Sequence, residues 1–305
     1  MDNIFLPKFT RSLFATEIYH INGDGTDEGV VYSEMYGREF NAESIVDRKR
    51  RELMHCDSNS GYAVDTGGKF ANIRNEANIN SIIDFHRYNY HLNNLVIIIT
   101  GNIQHAEVLD VFTKIEQKYI KRTPQKFLLT FSNYAVPNIV KRVHEESVPA
   151  DDNSIGFVEI SWVGGRNNDL YKNIAFPVLM DYLCNIYGSP LYKYFVETNI
   201  CSSISMEFIE QYHCEVIAKF YDVSSCKVSS YVSGSSSYYG KINEDDKLRL
   251  INKRVEEALA EYNSVENFDL QKIKSIIENH KCEFRQNIEE NLHTIMTDVM
   301  ILHHL

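Results

Sequence analysis

The 305 residues contain eleven histidines, and no two of them stand four apart, so no helix of this chain can turn two imidazoles toward one metal ion. The six cysteines (Cys56, Cys184, Cys201, Cys214, Cys226 and Cys282) form no Cys-x-x-Cys unit and no close framework. That scatter argues against a disulfide-stapled fold, and reduced, mostly buried thiols are expected. No stretch of about 18 apolar residues occurs, so a membrane-spanning helix is not expected. The start, Met1-Asp-Asn-Ile-Phe5, lacks the basic and long apolar regions of a secretory leader. Cytoplasm or an organelle interior is the favoured compartment, with the natural amino terminus expected upstream of Met1. Basic residues are also short: 31 against 42 acidic ones, a formal net charge of −11. That surplus repels nucleic acid and anionic membrane alike and suits short cationic or extended peptides as partners.

With 44% hydrophobic residues, the chain is long enough for two ordinary domains. Asp27 and Glu34 lie seven residues apart, and a helix starting near Asp24, capped by Asp24, Thr26 and Asp27, would stack the two acids on one face. A second helix is expected over 42–55, with its Asp47-Arg-Lys-Arg-Arg-Glu52 run on a solvated face. Residues 57–68, holding Gly61, Gly67 and Gly68, read as an ordered loop rather than a phosphate cradle. Helix is expected over 79–88. Leu95-Val-Ile-Ile-Ile-Thr100, closed by Gly101, reads as a strand buried on both faces, covered by an amphipathic helix that begins at His105.

Pro124 lies in the polar run 121–126, where the first domain is expected to end. Beyond it, strands are expected at 139–148, at 154–163 (ended by Gly164-Gly165), at 202–208 and at 215–221. Helices are expected at 169–184, from Ser189-Pro190, through Leu248 to Tyr262, and after Phe268-Asp269. The serine-rich segment 229–237 reads as a loop. No Ser-His-Asp or Cys-His signature supports nucleophilic hydrolysis.

Four segments carry a resemblance. Phe14-x-Thr-Glu-Ile-Tyr-His-Ile-Asn-Gly23, Gly29-Val-Val-Tyr-Ser-Glu-Met-x-Gly-Arg-Glu39, Ser60-Gly-Tyr62 with Thr66-Gly-Gly68, and Phe85-His86 through Asn94–Gly101 resemble the insulinase/pitrilysin family of inverzincin metallopeptidases. The presequence-protease-like branch is the most similar, and Ser189-Pro-Leu-Tyr-Lys-x-Phe-Val-Glu197 extends the likeness. The resemblance implies an α+β fold, each domain a mixed sheet covered by helices, as in mitochondrial processing peptidase. It implies zinc held by a His-x-x-Glu-His helix and a later glutamate. Glu34 matches that third ligand, and Asp27 matches an acidic position that holds the ligand from behind.

The histidine motif is missing in either direction. The chain is therefore expected to hold two incomplete peptidase-like domains: residues 1–126, the carboxy-terminal half of the first, and 127–305, the amino-terminal part of a second that binds no zinc. The expected function is that of a piece of an insulinase-type zinc endopeptidase, inactive alone, with zinc and peptide substrate belonging to the intact enzyme. The alternative is a non-catalytic assembly subunit that lends chamber wall to a histidine-bearing partner. Half-domains leave sheet edges and apolar helix faces bare, so association with a complementary half, or self-association, is expected. The plain reading of Glu34 is a surface acid pairing with Arg38 one turn later.

Overall fold

The computed structural model describes residues 2–55, 60–122, 143–145, 154–185, 188–224, 247–291 and 293. The segment 229–237 and, apart from 143–145, the strand expected at 139–148 lie outside them. The described residues fall into two compact units, one formed within 2–122 and one within 143–291. Mixed helices and small antiparallel sheets make up both, the α+β class the sequence implies.

Unit one is helical: α1 (Asp2–Phe5), α2 (Arg11–Glu17), α3 (Val30–Glu39), α4 (Ala42–Met54), α5 (Phe70–Glu76), α6 (Ile79–Asn89) and α7 (His105–Tyr119). Its one ladder among the described residues joins β1 (His20–Ile21) to β2 (Asp27–Glu28), antiparallel. Side-chain caps start several helices locally: Thr10 accepts from Leu13 N–H, Asn41 from Glu43 and Ser44, and Asn78 from Ser81. The hydrophobic centre is small, with Tyr32, Met35 and Ile73 buried together.

Two expectations fail here. Residues 95–100 are extended at their start but join no ladder, and Val96 is 72% exposed. A strand is buried only when neighbouring strands and helices supply the cover, and the described part of this unit supplies none. The Asp47–Glu52 run is likewise not a solvated face. Arg50 is buried and ion-paired with Asp47, while Arg51 donates to Val64 O at 2.6 Å and meets Asp65 at 3.2 Å. The arginines tie α4 to the loop that follows it. Gly67 and Gly68 in that loop take φ of +95° and +76°, and a Cβ on Gly67 would lie 2.3 Å from Met35 Sδ. Turn geometry accounts for them.

Unit two is a three-stranded antiparallel sheet, order β3-β5-β4, built from β3 (Ile155–Arg166), β4 (Ser203–Ile209) and β5 (His213–Ser224). Register aligns Val158, Phe220 and Ile204 across the sheet, then Ile160, Ala218 and Met206. These residues belong to the core cluster, together with Leu191 and Phe195 of α9 (Pro190–Phe195), Ile251, Val255 and Ala258 of α10 (Lys247–Ala260), and Ile276 of α11 (Leu270–Glu290). Strand β3 does not stop at Gly164-Gly165 but bulges through them to Arg166. A Cβ on Gly164 would stand 3.1 Å from Cys214 O, so the glycine permits close pairing there.

Helix α8 (Leu170–Met180) starts at the Asp169 cap, contains Pro177, and passes into a wider π turn over Asp181–Asn185. His280 of α11 bonds Asp181 at 2.5 Å, and Tyr182 Oη accepts from Asp269 N–H at 3.0 Å. Cys184, Cys201 and Cys214 are buried free thiols; burial pushes Cys184 up to about 12 and Cys201 to about 11, which keeps both as inert thiols at neutral pH. Cys282 is free and exposed. No helix among the described residues is long and apolar enough to cross a membrane.

Candidate functional site

Asn22-Gly-Asp-Gly25 turns the chain between β1 and β2. Asn22 Oδ1 accepts from Asp24 and Thr26 N–H, both at 3.0 Å, and Gly25 takes φ +81°. Asp27 is therefore a strand residue, paired with Ile21, and not part of the helix that carries Glu34. The expected shared helical face does not exist, because Gly29 at φ +138° ends the hairpin and α3 begins only at Val30. The overlooked signal is the turn tetrapeptide itself, a hairpin pattern read as a helix entry.

Asp27 is well engaged. It accepts from Tyr19 Oη at 2.6 Å and from Tyr32 Oη at 3.2 Å, and Arg74 Nε of α5 lies 3.2 Å away. The Tyr19 hydroxyl first, and Arg74 after it, hold its carboxyl below the usual carboxylate range. In turn, Tyr19 is raised, chiefly by its bond to Asp27, and Tyr32 chiefly by burial. Neither the two tyrosines nor Arg74 stood out in the sequence, since their meeting depends on α2, α3 and α5 converging.

A carboxylate depressed in the folded state contributes stability that is complete above its unfolded pKa, about 3.9, and is lost as pH falls through the lower folded value. Thermal melts across pH should show Asp27→Asn well below the parent at pH 7, with the gap closing under acid conditions. An equal gap at pH 7 and pH 2 would refute the ionic role of Asp27.

Glu34 lies one turn into α3 with its side chain 60% exposed, 3.8 Å from Arg38. Beside α3, a polar concavity is lined by Arg38, Glu39, Asp47, Arg48, Arg51 and Asp65. Its three cations and three anions cancel, and Arg48 and Arg51 already engage Asp65. Among the described residues no group of three metal-ligating side chains converges. Glu34 and Asp27, as placed, do not by themselves make a zinc site: one is an exposed carboxylate beside an arginine, and the other has its oxygens taken by tyrosines and Arg74.

Comparison with known proteins supplies the context. The sequence pattern described as the peptidase M16 inactive domain matches residues 76–275. An uncharacterized protein of Caenorhabditis elegans is 38% identical over 223 residues, 72% of this chain and 22% of its own length. A mitochondrial presequence protease of Kluyveromyces lactis is 26% identical over 192 residues, 63% of this chain and 19% of its own. A protease from Helicobacter pylori shares the fold, with a TM-score of 0.59 at 14% identity over 90% of this chain and 61% of that one. The chain spans about a quarter of the length of the curated relatives it matches.

Proposed function

We propose, for a chain that belongs to the peptidase M16 family as its inactive-domain type, the role of a non-hydrolytic portion of an insulinase-type zinc endopeptidase. In this reading residues 1–126 are the closing half of one peptidase-like domain and 127–305 the opening part of another. The carrying observation is the absence of any His-x-x-Glu-His, forward or reversed, from the 305 residues. Without two imidazoles no bound water is activated, and hydrolysis belongs to a segment or partner that supplies them.

Glu34 is the residue of this chain offered to that site. Its exposure leaves it open to an incoming metal centre, and the Asp27 cluster anchors the hairpin that leads into α3. A second reading, an assembly subunit acting on a separate histidine-bearing chain, draws support from the uncovered apolar residues of unit one, Val96 and Leu109 among them. Peptide is the substrate class in both.

The test is direct. The purified chain incubated with zinc and an unstructured peptide should cleave nothing and hold far less than one zinc per chain, with Glu34→Gln changing neither result. Stoichiometric zinc together with cleavage that Glu34→Gln abolishes would overturn the proposal.

A further inference from the structure

The concavity beside α3 balances its charges but not its hydrogen bonds. Its three carboxylates are already served: Asp47 meets Arg50 and Arg51, Asp65 meets Arg51 at 3.2 Å, and Glu39 accepts from Phe70 N–H at 2.7 Å. Its arginines differ from one another. Arg51 is committed, donating to Val64 O and held by both aspartates. Arg48 stands 3.8 Å from Asp65, and Arg38 stands 3.8 Å from Glu34, near enough for an ion pair but beyond hydrogen-bond reach. A guanidinium carries five N–H groups in a fixed fork, so both of these arginines keep donors to give.

Burial makes this spare capacity matter. The Arg48 side chain is only 18% exposed, and a cation drawn out of water without short hydrogen bonds is costly to the folded state. An oxyanion relieves that cost best, because two of its oxygens match the guanidinium fork. Arg38 brings a second fork to the same concavity from α3, whereas Arg48 comes from α4, and Ser44 and Thr66 add hydroxyls to the wall. The net charge of −11 repels free anions, so an anionic group arrives best on a ligand that is neutral or cationic as a whole. A peptide with one carboxylate meets that requirement.

We infer that the concavity between Arg38 and Arg48 is a carboxylate subsite, which takes an acidic side chain or the terminal carboxylate of a peptide lying along α3. Arg38 follows Glu34 by one helical turn, about 5.4 Å, which is less than two residues of extended peptide. The carboxylate therefore belongs to a residue close to the one opposite Glu34. The inference rests on the reading of peptide as the substrate class.

Fluorescence anisotropy on the full 305-residue chain tests it, with three labelled, unstructured peptides of one lysine-bearing sequence. The first carries a single glutamate and an amidated end, the second glutamine in its place and a free terminal carboxylate, the third glutamine and an amidated end. At least one of the first two should bind about tenfold more tightly than the third, and which one does so tells side chain from terminus. Arg38→Gln alters an exposed side chain and should melt like the parent, while Arg48→Lys keeps the charge but not the fork. Each should abolish the preference for a carboxylate. Equal affinity for the three peptides, no binding of any, or a preference that survives either substitution would overturn the subsite. Cleavage of these peptides by the chain alone would instead sink the non-hydrolytic reading, so the two failures are separable.

Discussion

Gly29→Ala should destabilise unit one by roughly 3 kcal/mol, more than any other single methyl added to its hairpin. Gly29 combines φ +138° with ψ 146°, a region that residues with a Cβ scarcely enter. Space is closed as well, because a Cβ there would sit 2.4 Å from Ile18 O and 2.9 Å from Tyr19 Cα. Both obstacles are backbone, so no rotamer change relieves them. The same Ile18 carbonyl accepts from Tyr32 N–H at 3.2 Å. Pushing it away loosens the entry of α3, then the Tyr32–Asp27 contact, then the position of Glu34.

Two neighbouring glycines grade the effect. Gly25 has φ +81° but open space around its Cβ position, so Gly25→Ala should cost only about 1 kcal/mol. Gly23 is unobstructed and free of positive φ, so Gly23→Ala should be nearly silent. Exchange protection of the α3 amides is the suitable readout, since the buried cluster around α3 among the described residues consists of Tyr32, Met35 and Ile73. If Gly29→Ala protects α3 as well as Gly23→Ala does, the close approach of Gly29 to Ile18 is wrong.

The hairpin shows why the candidate site was only half legible. Glu34 could be placed on a helix because Val30, Val31, Met35 and Tyr36 repeat locally, and the helix is there. Asp27 reads equally as part of that helix, because acidic and hydroxyl residues cap helices and also build turns, and only the pairing of His20–Ile21 with Asp27–Glu28 decides between the two. Caps with one local meaning read correctly: Ser189-Pro190 opens α9, and Asp269 opens α11 by accepting from Gln271 and Lys272 N–H. The strand at 95–100 failed for the opposite reason. Its residues state a preference for burial, but burial is conferred by neighbours, and the described residues contain no strand beside it. Arg48, Arg50 and Arg51 repeat the lesson, for a charge run is a solvated face only until a loop carrying Asp65 folds over it.

Unit two presents the contrast, and Phe220→Ala there should be the most damaging substitution in the chain. Phe220 is 0% exposed on the central strand β5, with Val158 opposite on β3 and Ile204 opposite on β4. Its ring meets Phe195 edge-on at 4.9 Å, joining the sheet to α9. Truncation removes the transfer energy of the ring and leaves a hole walled by a three-stranded sheet, which cannot collapse inward without breaking register. Losses of about 3–5 kcal/mol are typical for such sites. Trp162, the single tryptophan of the chain, packs at the edge of this same core on β3 and reports on unit two alone. Followed by its fluorescence in urea, with a slope of about 2 kcal/mol per molar, the midpoint should fall by roughly 2 M. Phe220→Leu, which keeps most of the volume, should lose less than half as much. Should the Trp162 transition move equally little for both variants, Phe220 cannot be the residue that joins sheet to helices. The packing that joins the sheet of unit two to its helices would then have to be sought among Leu191, Ile251 and Val255 instead.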